Sequence, residues 1–243
     1  MPRNSILHRQ ASGFLSARWI AFDLDDTLHG FRRASRSAMR IVFQTITDEY
    51  GIPQTRLETA YAEILQEGTA DCFVDGRTSR EYRVERFQAL LSKVRVVDPN
   101  FVDELVELYD YSLTRLTRIR PGARKLFEKL KLRGKKIAVV SEGPADAQRK
   151  TLDRLGLSQF VDLLMTSNSE GVSKLDGLFE RLLEKTTAAS SEICVVGDSA
   201  SRDVEPALSL GCTVIHIVPG YRRTTAAGNI VVIPSIMALN RVA

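Results

Sequence analysis

From Pro121 onward the chain alternates between short apolar runs and amphipathic stretches, and this alternation limits its fold more than any other feature. Apolar runs at 136–140, 160–165, 193–196, 213–218 and 230–233 are separated by helical patterns over 123–132, 145–155, 178–185 and 204–210. Strands that are apolar throughout, rather than at every second residue, are buried on both faces, and the intervening helices supply the cover. The expected fold class is α/β, with a Rossmann-like parallel sheet. One further apolar run, at 19–22, lies far upstream and has to rejoin that sheet.

The residues in between read as helices. Met39, Val42, Phe43, Ile46 and Tyr50 form one stripe, which Gly51 and Pro53 end. Leu57, Tyr61, Ile64 and Leu65 form a second, stopped by Gly68. Thr78-Ser79-Arg80-Glu81 is a capping box that opens a third helix, with Val84, Phe87, Leu91 and Val94 inward. Asp98-Pro99 supplies an N-cap and a first-turn proline to a fourth, carrying Val102, Leu105, Val106, Tyr109, Leu113 and Leu116. Short loops between such helices predict a small helical bundle. The chain thus divides into an N-terminal extension over 1–18, an α/β core made of 19–32 and 119–243, and a helical insert over 33–118.

Composition excludes several classes. Hydrophobic residues make up 44% of the 243 and charged residues 26%, which rules out wholesale disorder. No apolar run approaches the ~20 residues of a spanning helix, so no membrane association is expected. Three cysteines (Cys72, Cys194 and Cys212), with no CxxC and no Cys/His cluster, argue against structural zinc and for a reducing, cytoplasmic setting. A net charge of +4 is too mild to indicate nucleic acid. Residues 115–136 hold ten Lys/Arg against Glu128 alone; a solvated helix face is the plainer account, and steering of an anionic substrate the sharper one. Residues 1–18 carry Arg3, Arg9 and Arg18 and no acid, which fits a transit peptide in composition but lacks the apolar stretch of a secretory signal.

Four polar clusters each follow a predicted strand, at the edge where open α/β sheets bind ligands. The first is Asp23-Leu24-Asp25-Asp26-Thr27, where an extended turn lets Asp23 and Asp25 converge. Paired carboxylates need a cation or a shared proton. The second is Ser141, beside Glu142 and Gly143, whose hydroxyl and neighbouring N–H groups suit a phosphate oxygen. The third is Lys174, in Gly171-Val172-Ser173-Lys174, a cation able to neutralise a dianion. The fourth runs through Gly197-Asp198-Ser199 to Asp203, an oxygen-rich set suited to a hard metal ion. Taken singly, each has a bland account: a solvated acidic turn, a turn serine, a surface lysine, a helix cap.

In order and spacing together, the four clusters resemble the four motifs of the haloacid dehalogenase (HAD) superfamily. Phe22-Asp23-Leu24-Asp25-Asp26-Thr27-Leu28 is similar to the first motif; Val140-Ser141-Glu142-Gly143, Gly171-Val172-Ser173-Lys174 and Gly197-Asp198-Ser199 with Asp203 resemble the other three. The likeness spans about 19–33 and 119–218, with the helical insert where one branch carries its cap. It implies an HAD-like core with an α-helical bundle cap, and a Mg²⁺-dependent phosphatase acting on a small phosphorylated metabolite. On that resemblance Asp23 is the nucleophile, forming an aspartyl-phosphate, and Asp25 the general acid and base. Ser141, Glu142 and Lys174 bind the phosphate. Asp23, Asp25 (through its backbone carbonyl) and Asp198 hold Mg²⁺. Thr27, Gly197 and Asp203 support, Asp203 by orienting Lys174 or a metal-bound water.

Dehalogenases of the superfamily lack the second aspartate, so Asp25 favours phosphate chemistry. A nucleoside monophosphate or a sugar phosphate is the expected substrate, and the flap residue Phe31 with the insert residues Arg77, Arg80, Arg83 and Arg86 are placed to select it. A phosphosugar mutase, which would need a bisphosphate activator, and a non-catalytic binding protein are the other readings. Two residues depart from the family pattern: Leu175, where proline often follows the lysine, and Pro206, in a helix usually free of proline.

Overall fold

In the computed structural model, which describes residues 12–68, 73–221, 224–241 and 243, the early apolar run becomes the middle of the sheet. The strands are β1 (Trp19–Phe22), β2 (Lys136–Ser141), β3 (Leu163–Thr166), β4 (Ile193–Gly197), β5 (Thr213–Ile217), β6 (Thr225–Ala227) and β7 (Ile230–Ile233). Their order is β3-β2-β1-β4-β5-β7-β6, all parallel except β6, which runs antiparallel to β7. Ala21 pairs with Ala138 on one side and Val195 on the other. Alternate residues of β1 feed two layers: Ile20 and Phe22 join a core with Phe127 and Ile215, while Ala21 joins one with Met165, Phe179 and Val195. Burial on both faces is the reason these strands are apolar throughout.

The helices are α1 (Ser12–Ser16), α2 (Phe31–Tyr50), α3 (Gln54–Gly68), α4 (Ser79–Lys93), α5 (Pro99–Leu116), α6 (Ala123–Leu132), α7 (Ala145–Leu155), α8 (Ser167–Glu170), α9 (Leu178–Thr186) and α10 (Glu205–Ser209). Helices α2 to α5 gather around an apolar cluster of their own, including Val42, Ile46, Leu57, Phe87, Leu105 and Val106. Local chemistry sets their ends. Gly51 closes α2 in the left-handed region at φ 67°, Thr78 and Glu81 form a reciprocal capping box on α4, and Asp98 accepts from the Phe101 N–H to start α5. Tyr50, expected inward, lies at the exposed end of α2 and donates to Asp98 at 3.0 Å.

Several expectations need correction. The described part of the 1–18 extension is built into the core: Phe14 is 1% exposed and Ala17 fully buried against the sheet. Residues 1–11, with Arg3 and Arg9, and Cys72 lie outside the described residues. The basic 115–136 stretch is not simply a solvated face. Lys135 donates to the carbonyls of Leu15 and Ala17 at the end of α1, Lys129 to those of Asn240 and Ala243, and Arg120 to that of Asp26. Cations at a helix C-terminus offset its partial negative charge.

The strand expected over 160–165 starts only at Leu163, because Asp162 is used as a bracket. Its carboxylate accepts from the Ile137 N–H at 2.8 Å and pairs with Lys131 and Lys136 at 2.7 and 3.0 Å. Burial pushes its pKa up, but Lys131, the Ile137 N–H and Lys136 outweigh burial and hold it below the ordinary 3.8. Asp162→Asn is therefore expected to cost about 1–2 kcal/mol at neutral pH. A depressed folded pKa contributes stability above the unfolded pKa and loses it as pH falls through the folded one. The gap between wild type and variant in urea unfolding should therefore close as pH falls below the ordinary carboxylate range.

Candidate functional site

All four clusters converge at the C-terminal edge of β1, β2 and β4, and their centre is a buried ion-pair chain. Lys174 Nζ lies 2.6 Å from Asp23 Oδ1 and 2.6 Å from Asp203 Oδ1, with the three side chains 3%, 9% and 1% exposed. Burial works against the ammonium, yet the two carboxylates outweigh it and hold the Lys174 pKa above its ordinary range. Burial likewise drives the Asp23 carboxyl well above the usual carboxylate range, against the pull of Lys174. Among the described residues, Asp23 Oδ2 is buried and has no hydrogen-bond partner, and the Ser141 hydroxyl is in the same condition. Orphaned polar atoms of this kind mark a place for a ligand.

Oxygens of Asp23, Asp198 and Asp203 lie within 4.8 Å of one another. Asp203 is committed elsewhere, its second oxygen accepting from the Ser199 N–H at 3.0 Å. Asp198 is freer: it accepts from the Thr27 hydroxyl at 3.2 Å and has Arg32 at 3.9 Å. Burial and the Asp203 charge raise its pKa. Two raised carboxyls, one of them with an unpartnered oxygen, fit a hard divalent cation, whose charge would favour the ionised form of each. Thr27, expected to brace its own turn, bonds across to Asp198 instead.

Asp25 does not join this acidic group with its side chain. It faces a cavity under the helical insert, hydrogen-bonded to His29 Nε2 at 2.8 Å and accepting from Gln148 Nε2 at 3.2 Å. His29 and Gln148 were missed in the sequence. Both are buried, and the one signal was a histidine four residues after Asp25 in a loop. Gly143 follows from this contact. At φ 151° it suits glycine, and a Cβ would lie 2.6 Å from Gln148 Nε2. Its N–H donates to Ser167 Oγ at 3.1 Å, so it is not free for phosphate as expected. The Glu142 carboxylate accepts from the Lys174 N–H at 2.9 Å and from Arg202 at 2.5 Å, contacts that leave the expected phosphate role of its backbone N–H untouched. Its side chain ties the second, third and fourth clusters together.

Pro206 is accommodated by a change of helix type. Residues Ala200–Val204 form a wide π turn, and α10 begins afresh with Pro206 in its first turn, where no N–H is required. The wide turn carries Asp203 inward against Gly197. A Cβ on Gly197 would fall inside the Asp203 carboxylate. Gly197→Ala is expected to cost about 1–3 kcal/mol in urea unfolding, as overpacking does. It should also lower turnover at least tenfold, since Lys174 would lose its anchor. Leu175, the other departure, is 56% exposed and touches none of this.

The helical insert closes over the site. Ser79 N–H and Oγ donate to Asp146 at 2.9 and 2.7 Å, and Asn168 Nδ2 donates to the Arg77 carbonyl at 3.0 Å. The arginines expected to select the substrate are mostly neutralised: Arg77, just before α4, pairs with Asp75 and Glu85, Arg80 with Asp103, and Arg83 with Asp110. Among the described residues no helix is long and apolar enough to cross a membrane.

Comparison with known proteins follows the same lines. A family model described as haloacid dehalogenase-like hydrolase matches residues 17–211. A glyceraldehyde 3-phosphate phosphatase of Methanocaldococcus jannaschii is 27% identical over 83% of this chain and 85% of its own. The pyrimidine 5'-nucleotidase YjjG of Escherichia coli is 26% identical over 84% and 87%. Among solved structures, the magnesium-bound HAD-hydrolase YfnB of Bacillus subtilis superposes with a TM-score of 0.68 at 22% identity, covering 92% of this chain and 96% of that one.

Proposed function

The chain belongs to the haloacid dehalogenase-like hydrolases, and from that premise we propose that it is a Mg²⁺-dependent phosphatase of a small phosphorylated metabolite, acting through an aspartyl-phosphate. One observation carries the reading. Two residues beyond the buried Asp23 stands a second carboxylate, Asp25, that faces the cavity and is held there by His29 and Gln148. Ester cleavage at carbon needs no acid at that point, whereas expulsion of an alcohol from phosphorus does. The phosphatase and nucleotidase names of the relatives point the same way.

In the proposed mechanism Asp23 attacks phosphorus, and the bond to the substrate oxygen breaks as Asp25 gives that oxygen its proton. Asp25, now a base, takes a proton from water, which attacks the aspartyl-phosphate and frees Asp23. Lys174 and the unpartnered Ser141 hydroxyl hold phosphoryl oxygens as negative charge spreads over them. Asp23, Asp198 and the Asp25 carbonyl would hold Mg²⁺. Bound there, it would offset the repulsion between the carboxylate and the phosphate. The insert over 33–118 acts as a cap, latched by Asp146 and Asn168, that excludes water from the site.

The test is phosphate release from a panel of nucleoside monophosphates, sugar phosphates, phosphoglycolate and p-nitrophenyl phosphate. Release is expected with Mg²⁺ and should fall to background in EDTA, returning when Mg²⁺ is restored. Undiminished release in EDTA would remove the metal from the reading, and no release from any ester would remove the phosphatase.

A further inference from the structure

The cavity that begins at Asp25 has a volume of about 720 Å³, well inside the roughly 300–1,000 Å³ range of small-molecule sites. A phosphate alone does not need such room. Much of its wall is aromatic, but its charged groups are uneven. Arg83 is matched by Asp110 at 2.5 Å, and Glu142 by Arg202. Arg86, one turn further along α4, is half-buried, and among the described residues no carboxylate lies within ion-pair distance of it. Its guanidinium stands 5.5 Å from the centre of the Phe73 ring. It also faces the Tyr61 phenol, which burial pushes up to about 12 although Arg86 pulls the other way.

From α7 the lining adds Lys150, which has Asp146 at 3.9 Å, and Arg154. Among the described residues beyond Asp25, then, the cavity lining has a surplus of positive charge, and the most enclosed cation there without a carboxylate at ion-pair distance is Arg86. A cation taken out of water without a counter-ion is costly, and a planar guanidinium offers paired donors that match a carboxylate or a phosphate. A neutral sugar or base closing over Arg86 would strip its water and return no charge.

Resting on the phosphatase reading, we propose that Arg86 is the anchor of a second anion site, and that the substrate carries a carboxylate or a second phosphate at the end remote from the transferred group. The positive rim of Lys150 and Arg154 draws such a molecule, with its two anionic groups, in. Arg86 does not touch the reacting atoms; it sets which molecule is accepted.

Matched substrates test this on purified full-length protein with Mg²⁺: 6-phosphogluconate against glucose 6-phosphate, and fructose 1,6-bisphosphate against fructose 6-phosphate. Uridine monophosphate and p-nitrophenyl phosphate complete the set. The member with the distal anion is expected to have a kcat/KM at least tenfold higher, expressed mainly in KM. Arg86→Met should bring that ratio near one, and Arg86→Lys should restore part of it. Both members of a pair are read on one preparation, so a general loss of folded enzyme cancels in the ratio. A ratio near one in wild type, a ratio unchanged in Arg86→Met, or uridine monophosphate outperforming both substrates that carry a distal anion would overturn the second site while leaving phosphatase activity standing. Failure to release phosphate even from p-nitrophenyl phosphate would overturn the reading beneath it, and the second site would fall with it.

Discussion

Asp23→Asn is expected to lower phosphate release by about four orders of magnitude or more, to the background of the assay, as loss of a covalent nucleophile does. The substitution changes almost nothing else. Asparagine has the same shape, so the residue still fits its buried position at the end of β1 and can still accept from Lys174, 2.6 Å from Oδ1. What disappears is the negative charge, and with it an oxygen able to bond to phosphorus. The variant should remain folded, since a neutral amide is easier to bury than a carboxylate. Near-native circular dichroism and urea unfolding with turnover at background would give the nucleophile assignment its support. Wild-type-like turnover in purified Asp23→Asn, free of contaminating phosphatase, would sink it. Asp25→Asn is expected to be nearly as inactive with poor leaving groups. It should lose less with p-nitrophenyl phosphate, whose leaving oxygen needs no proton.

The contrast between these two aspartates shows what a sequence of this kind discloses. The motif residues are legible because each follows a strand, and strand ends converge by topology alone: β1, β2 and β4 are neighbours, so Asp23, Ser141 and Asp198 had to approach one another. The apolar strands and the caps at Thr78 and Asp98 are legible for a local reason, since each depends on residues within one turn. The partners of Asp25 are not. Gln148 is 123 positions away, and its amide reaches the carboxylate only because α7 starts beside the site. The basic stretch misleads for a related reason. Charge counts do not reveal that Lys129 and Lys135 spend their ammonium groups on backbone carbonyls more than 110 residues distant. Pro206 signalled a disturbed helix but not its remedy, a wide turn that delivers Asp203 to Lys174. The stripe on α4 needed tertiary detail too: Arg80, Arg83 and Arg86 share spacing, yet the first two have acids opposite them.

Lys174→Met is expected to damage both stability and turnover, and the two losses have one origin. The ammonium lies between Asp23 and Asp203 at 2.6 Å from each, and all three groups are shut away from water. Methionine keeps the stem's volume but leaves two carboxylates facing each other without a cation. Removing one member of a buried charge network typically costs about 3–5 kcal/mol, most of it the penalty of the charges left behind. Measured by urea unfolding in EDTA, the variant should lose about that much. The loss should be largest in alkali and shrink as pH falls, because Asp23, whose carboxyl burial already holds well above the usual range, takes up a proton and the repulsion ends. Turnover should fall by about three orders of magnitude, because a phosphoryl-binding charge is gone and Asp23 no longer has the group that orients it. Lys174→Arg separates the two roles. A guanidinium supplies the charge and should recover much of the stability, but its planar fork cannot meet both oxygens in the space of an ammonium, so turnover should stay low. Equal recovery of stability and turnover in Lys174→Arg would reduce Lys174 to a structural counter-ion.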